Sequence, residues 1–324
     1  GLAPLNETQA HAVDVALKHP VSILTGGPGT GKTYTIDALI RLAEASGWRY
    51  ALCAPTGRAA KRMTELTGRS AATIHKLIEY QPGGEPGRDA TRPLDVEMLI
   101  VDEVSMVDTV LAFYLFGAIR PGTTVVLVGD EFQLPSVGAG NVLADLIQSD
   151  LVPVTRLTQI HRQAEGSMIV RAAHAVHNGK LPESDDRGDF RFVAATADDA
   201  ERIVLDLVCR TIPGQFNIRS SEIQVVAPMY KGSAGIDALN LALQATLNPP
   251  SLLKAERKIF ERVFRVGDRV LQIKNNYDLQ VVNGDLGIVN HLDPKLNVVV
   301  VRFAERDVQY SWTDATTQLV HAFA

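Results

Sequence analysis

Several things are scarce in this sequence, and each scarcity narrows its reading. Only two cysteines, Cys53 and Cys209, occur in 324 residues, and no CxxC is present, so a disulfide framework is excluded and a reducing, cytoplasmic setting is expected. Although 46% of the residues are hydrophobic, no run approaches the roughly 18 unbroken apolar residues that a membrane span needs. The opening GLAPLNETQA lacks the basic-then-apolar order of a signal peptide. Positive charge is not in excess either. The formal net charge is -5, so any polyanion must be held by a local patch rather than a basic coat. The histidines, among them His75, His161, His174 and His177, form no metal-ligand set. Cys53, inside an apolar run, reads as a core residue. The length suits two domains, with room for a small third.

What is present begins at residues 26–33, GGPGTGKT, which follow the pattern GxxxxGK[ST]. Upstream, Val21 to Thr25 is a short β-branched run. Downstream, Ile36, Leu39, Ile40 and Ala43 recur at helical spacing before Gly47. Strand, glycine loop and helix in that order make an anion cradle, because backbone N–H groups can wrap a phosphate chain only where bulky side chains are missing. The helix N-terminus adds partial positive charge. Gly27, Pro28, Gly29, Thr30, Gly31 and Tyr34 are the candidate cofactor contacts beside Lys32, which reaches the β and γ phosphates, and Thr33, whose hydroxyl holds Mg2+.

A carboxylate should end a neighbouring buried strand. Met98 to Val101 is apolar throughout, and Asp102 and Glu103 follow it. Asp102 is placed to hold the metal and Glu103 to polarise an attacking water. A third strand, Thr123 to Asp130, leads to Gln133, whose amide can sense the γ-phosphate. A fourth, Tyr50 to Thr56, runs into a basic helix bearing Arg58, Lys61, Arg62 and Arg69 against only Glu65. This reads either as a solvated face or as a place for backbone phosphates.

After Leu151 come an apolar helix at 167–180, a polar stretch at 181–190, a helix around Ala200 to Cys209 and a strand expected at Glu222 to Pro228. The segments DRVLQIKN, DLGIVNHLD, NVVVVRF and RDVQYS, spaced by Gly, Asn and Asp, predict a small antiparallel barrel. Arg262, Arg265, Arg269 and Lys274 lend it some positive charge.

In order and wording, LNETQAHAV, GGPGTGKT, APTGRAAKRM, ATIHKL, VDEVSMVD, VVLVGDEFQLPSVGAG, LTQIHRQ and VVAPMYKG resemble the motif series of the RecD-like superfamily 1 DNA helicases. The resemblance implies an α/β fold. Two RecA-like parallel-sheet P-loop domains are expected, at 1–150 and 151–262, with a small SH3-like β-barrel inserted in the second at 263–312 and a return to that domain at 313–324. It further implies that Gln9 reads adenine, that Lys32, Glu103, Gln133 and Arg162 serve catalysis, and that Thr33 and Asp102 hold Mg2+. Pro55, Thr56, Arg58, Thr73, His75 and Pro228 become the DNA contacts. ATP and Mg2+ are the implied cofactors, and single-stranded and tailed duplex DNA the partners of a protein expected as a monomer. The implied activity is 5′ to 3′ translocation with duplex unwinding; the alternative is a DNA-stimulated P-loop ATPase that switches or translocates without unwinding. The family's last two motifs would follow Ala324. Residues 79–96, with Pro82, Pro86, Pro93 and three glycines, cannot form a helix or core strand and are expected to protrude as a wedge-like hairpin.

Overall fold

The computed structural model describes residues 4–80, 84–159, 167–184, 188–276, 278–304 and 306–324. They fall into two compact units, Gly1–Phe192 and Val193–Ala324.

In the first unit, α1 (Glu7–Lys18), β1 (Val21–Gly26), α2 (Lys32–Ala45), β2 (Tyr50–Ala54), α3 (Gly57–Thr67), the short β3 (Ala72–Thr73) and α4 (Ile74–Leu77) come first. Then follow β4 (Met98–Val101), α5 (Thr109–Gly117), β5 (Thr124–Gly129), α6 (Val142–Gln148), β6 (Val154–Leu157) and α7 (Met168–His177). The six strands form one parallel sheet in the order β3-β2-β4-β5-β1-β6. Because side chains alternate along a strand, one face of the sheet buries Ile23, Leu99, Val101, Val125 and Leu127 beneath α4, α5 and α6. The other buries Leu24, Leu52, Ile100, Val126 and Val128 beneath α1, α2 and α3. Coverage on both faces explains why these strands read as continuous apolar runs.

The first sheet extends past the boundary expected at residue 150. β6 pairs with β1 from Ile23↔Val154 to Gly26↔Leu157, since Thr155 and Leu157 are buried while Arg156 stays exposed, as suits an edge strand. Among the described residues of 79–96 no hairpin ladder forms; Leu94 makes only an isolated bridge to Ile119. Its prolines and glycines deny it one. The base of the segment is closed instead by Glu79, which pairs with Arg88 at 2.8 Å and Arg92 at 3.0 Å.

The second unit contains α8 (Ala197–Asp206), α9 (Ile212–Phe216) and α10 (Ile236–Leu247). Its β-elements are β7 (Glu256–Ile259), β8 (Arg262–Arg265), β9 (Arg269–Gln272), β10 (Leu286–Asp293), β11 (Val298–Phe303), β12 (Arg306–Ser311) and β13 (Leu319–His321), with α11 (Trp312–Gln318) before the last. Five of them form an antiparallel sheet, β12-β11-β10-β9-β13, and β7 pairs with β8. Phe264, Val270, Val289, Val299, Val301, Tyr310 and Leu319 fill its core. The expected small barrel is therefore present, lengthened by β7 before residue 263 and by β13 after residue 312.

The strand expected at Glu222 to Pro228 is absent. Ile223, Val225 and Ala227 do turn to one side, packing around Leu239 and Leu243 of α10. The ladder is missing, because the Ile223 carbonyl accepts from the Arg269 guanidinium at 2.8 Å and no described strand lies alongside. A second parallel sheet is accordingly not found among the described residues. What binds α10 to the β-sheet is polar. Buried Asp268 accepts from the Gln244 amide, the Asn248 amide and the Arg265 N–H, each at 2.7 Å. Asn240, one turn earlier, accepts from the N–H groups of Phe323 and Ala324 at 2.8 and 2.9 Å.

Candidate nucleotide site and DNA-facing edge

In a parallel sheet the carboxyl ends of all strands open on one edge, where ligands collect. There the first unit carries a cavity of about 760 Å³, within the usual range for a small-molecule site. Gln9, Gly27, Pro28, Gly29, Thr30, Gly31, Lys32, Thr33, Tyr34, Asp102, Glu103 and Gln133 all line it. Residues separated by more than a hundred positions are thus brought to one place by β1, β4 and β5.

The loop is held open by its own bonds. Thr30 donates to the Gly27 carbonyl at 2.8 Å, and the Lys32 ammonium donates to the carbonyls of Gly26 and Gly27. Gly31 has φ 89°, a left-handed conformation that costs glycine little, and it starts α2 with no side-chain cap. The first N–H groups of α2 therefore remain available to an anion. At Gly26 a Cβ would lie 2.7 Å from both the Leu157 carbonyl and the Thr30 hydroxyl. Only glycine fits between them.

Gln9 lines the same cavity. Its Oε1 accepts from the Asn6 N–H at 3.0 Å while Asn6 Oδ1 accepts from the Gln9 N–H at 2.8 Å, a reciprocal capping box. This leaves Gln9 Nε2 buried with no protein acceptor, a donor that a ring nitrogen of a bound base would satisfy.

Asp102 and Glu103 follow β4. Burial pushes the Asp102 carboxyl up to about 6; the Glu103 N–H, Lys32 and Arg62 pull against that shift, and the charge of Glu103 adds to it. A carboxylate kept in so dry a place is destabilised until a cation arrives. Glu103 sits at φ 54°, ψ 41°, left-handed backbone for a residue with a side chain. Such strain is commonly stored at working sites. Its N–H donates to Asp102 Oδ1 at 2.9 Å, tying the pair together. The oxygen donors Thr33 and Asp102, the bare helix start and the orphaned Gln9 amide together fit a nucleoside triphosphate with a divalent cation. Among the described residues no cluster of three His, Cys, Asp or Glu could hold a metal alone.

The DNA candidates lie one and two strands away. Thr56 follows β2 by two residues and caps α3 through the Ala59 N–H at 3.2 Å; Thr73, which pairs with Ala54 of β2, caps α4 through the Lys76 N–H at 3.1 Å. Pro55 and exposed Arg58 flank the first cap. His75 stacks on Tyr80 with ring centroids 5.6 Å apart. Burial holds its pKa below the ordinary value, so at neutral pH it offers a ring and a hydrogen bond rather than a charge. Pro228 belongs to the second unit. Arg162, with His161, lies outside the described residues. Arg69 is not part of a DNA-facing cluster, for it pairs with Glu44 at 2.9 Å and Asp37 at 3.2 Å on α2.

One wall of the cavity was not foreseen. Ala59, Arg62, Met63 and Leu66 of α3 line it, together with Pro4 and Asn6. The signal lay in the i, i+3, i+4, i+7 spacing, which marks one face of a helix.

Residues 4–195 match a family model described as an AAA domain, and residues 239–303 match one described as an ATP-dependent RecD-like DNA helicase SH3 domain. The chain belongs to the RecD-like helicase family. It is 42% identical over 285 residues to the ATP-dependent RecD2 DNA helicase of Deinococcus radiodurans, covering 88% of this chain and 38% of that protein. To the RecBCD enzyme subunit RecD of Mycobacterium tuberculosis it is 32% identical over 328 residues, covering 87% and 55%. The RecD-like chain therefore spans between about two fifths and three fifths of the length of the curated relatives it matches. A Bacteroides Pif1 helicase solved with ADP-AlF3 and single-stranded DNA superposes with a TM-score of 0.54 at 21% identity, covering 96% of this chain and 75% of that one. That likeness concerns the fold. No helix among the described residues is long and apolar enough to cross a membrane.

Proposed function

We propose that this chain is the motor of an ATP-dependent DNA helicase that moves 5′ to 3′ along single-stranded DNA and parts duplex ahead of it. The observation that carries the reading is the cavity that Lys32, Thr33, Asp102, Glu103 and Gln133 line together with Gln9, whose Nε2 has no protein acceptor. Gln9 donates to the adenine, the backbone of 27–31 wraps the phosphates, and Lys32 neutralises their charge. Thr33 and Asp102 would hold Mg2+, which when bound supplies Lewis-acid stabilisation of the phosphoryl oxygens. Glu103 orients the attacking water and accepts its proton. Gln133 reports the γ-phosphate, and Arg162 is assigned to the same phosphate by the family resemblance.

Grip on DNA falls to Pro55, Thr56, Arg58, Thr73, His75 and Pro228. With hydroxyls, one arginine and a neutral imidazole it is sequence-tolerant, and its phosphate component weakens with salt. The name of the Deinococcus relative supports the ATP dependence and the helicase activity; the 5′ to 3′ direction follows from the RecD-like resemblance. The test is ATP hydrolysis with and without single-stranded DNA. Hydrolysis should need Mg2+ and rise at least tenfold on adding an oligonucleotide; a rate indifferent to DNA would refute the proposal.

A further inference from the structure

We propose that Arg62 binds the phosphate chain of the nucleotide, making α3 a single rigid element that touches both DNA and ATP. This rests on the reading of the cavity as an ATP site.

Arg62 is exposed on α3 and lines the same cavity as Lys32, Asp102 and Glu103. It lies near enough to Asp102 for its charge to be felt there, alongside that of Lys32. The guanidinium therefore shares the cavity with the Lys32 and Asp102 charges, where a phosphate chain would lie. Its neighbours on the helix settle its direction. Ala59, Met63 and Leu66 line the wall with it, so this face of α3 points inward to the ligand. Met63 anchors the helix to the core shared with α1 and α2. Arg69, two turns on, is committed to Glu44 and Asp37, and Arg58 stands at the opposite end, beside the Thr56 cap.

The consequence is geometric. Arg62 lies one turn along an 11-residue helix from Arg58. A helix does not bend over one turn, so Arg62 on the phosphate and Thr56 with Arg58 on DNA are held in one fixed register. A planar guanidinium on a phosphate is a strong, directional contact. Loss of γ-phosphate on hydrolysis weakens that contact and with it the coupling of the DNA-facing end to the nucleotide. No separate signal from nucleotide to DNA within this unit is then needed.

The experiment compares the full chain with Arg62→Ala and Arg62→Lys. Binding of a fluorescent non-hydrolysable ATP analogue and of ADP is measured by titration, and binding of a labelled oligothymidine by anisotropy, with and without the analogue. Arg62→Ala should bind the analogue about tenfold more weakly, in line with one lost charged contact, with a smaller loss for ADP. Arg62→Lys should recover part of it. Affinity for the oligonucleotide without nucleotide should match the parent, whereas the change in that affinity caused by the analogue should shrink at least threefold. Equal analogue binding by parent and Arg62→Ala overturns the inference. So does a loss confined to nucleotide-free DNA binding, which would make Arg62 a DNA contact. If the parent itself fails to bind the analogue, the cavity reading falls and the inference with it.

Discussion

Replacing Asp102 by asparagine removes a charge that the folded, ligand-free chain holds at a cost. The pKa of Asp102 is raised from 3.8 to about 6, chiefly by burial. For a carboxyl the raised value means that the folded state favours the proton. The penalty is thus absent below the unfolded pKa, grows as pH rises through the interval from about 4 to about 6, and is complete above it. Two pKa units correspond to about 3 kcal/mol. Asparagine keeps an oxygen for the Glu103 N–H, which Asp102 accepts at 2.9 Å, so the geometry is retained while the charge is lost. Without nucleotide and with EDTA at pH 7.5, Asp102→Asn should therefore be the more stable protein by about 3 kcal/mol, or roughly 6–12 °C in the melting of a unit this size. Urea melts of both proteins from pH 7.5 down to pH 4 give the difference directly, and it should decline towards zero over that range. With Mg2+ and a non-hydrolysable ATP analogue the order should reverse, because only the parent gains the ligand's stabilisation in full. A variant no more stable than the parent at pH 7.5 without ligand would refute the claim that this site stores unfavourable charge for a cation to relieve.

Other expectations follow from single contacts. Glu103→Gln should bind ATP and single-stranded DNA as the parent does while losing hydrolysis by roughly a hundredfold or more, measured as single-turnover phosphate release. Gln9→Ala should lose roughly tenfold or more of its preference for ATP over pyrimidine nucleotides, read from competition binding, since Nε2 has no other acceptor. Replacing residues 81–92 by a short Gly/Ser link removes Arg88 and Arg92 from Glu79; DNA-stimulated hydrolysis should persist while strand separation is lost, and unimpaired separation would make the segment ornamental. Asp268→Ala strands the Gln244 and Asn248 amides and the Arg265 N–H, and should cost the second unit about 3 kcal/mol in urea denaturation.

How much of this was legible in sequence depended on whether a feature is local. The cradle at 26–33 occupies eight consecutive residues, so its composition displays its chemistry, and β4 with Asp102 and Glu103 is nearly as compact. The α3 wall was harder, because Arg62, Met63 and Leu66 are spread by helical pitch and Arg62 looks like one more member of a basic run. Arg69 shows the same limit: its ties to Asp37 and Glu44 are contacts between helices, invisible in one dimension. At Ile223, Val225 and Ala227 the alternation was legible, but a strand also needs a neighbour, and the partner found was the Arg269 side chain. The boundary at 150 failed for the converse reason. Val154–Leu157 follows a turn and a proline, and only the ladder to β1 assigns it to the first sheet.

The most direct measurement of the central claim is strand separation on fluorescent duplexes carrying a 5′ tail, a 3′ tail or none, with ATP, with a non-hydrolysable analogue, and with Glu103→Gln. The parent with ATP should open the 5′-tailed duplex, leave the blunt and 3′-tailed ones closed, and do nothing without hydrolysis. Opening of only the 3′-tailed duplex, or DNA-stimulated hydrolysis with no strand separation on any of the three, would contradict it.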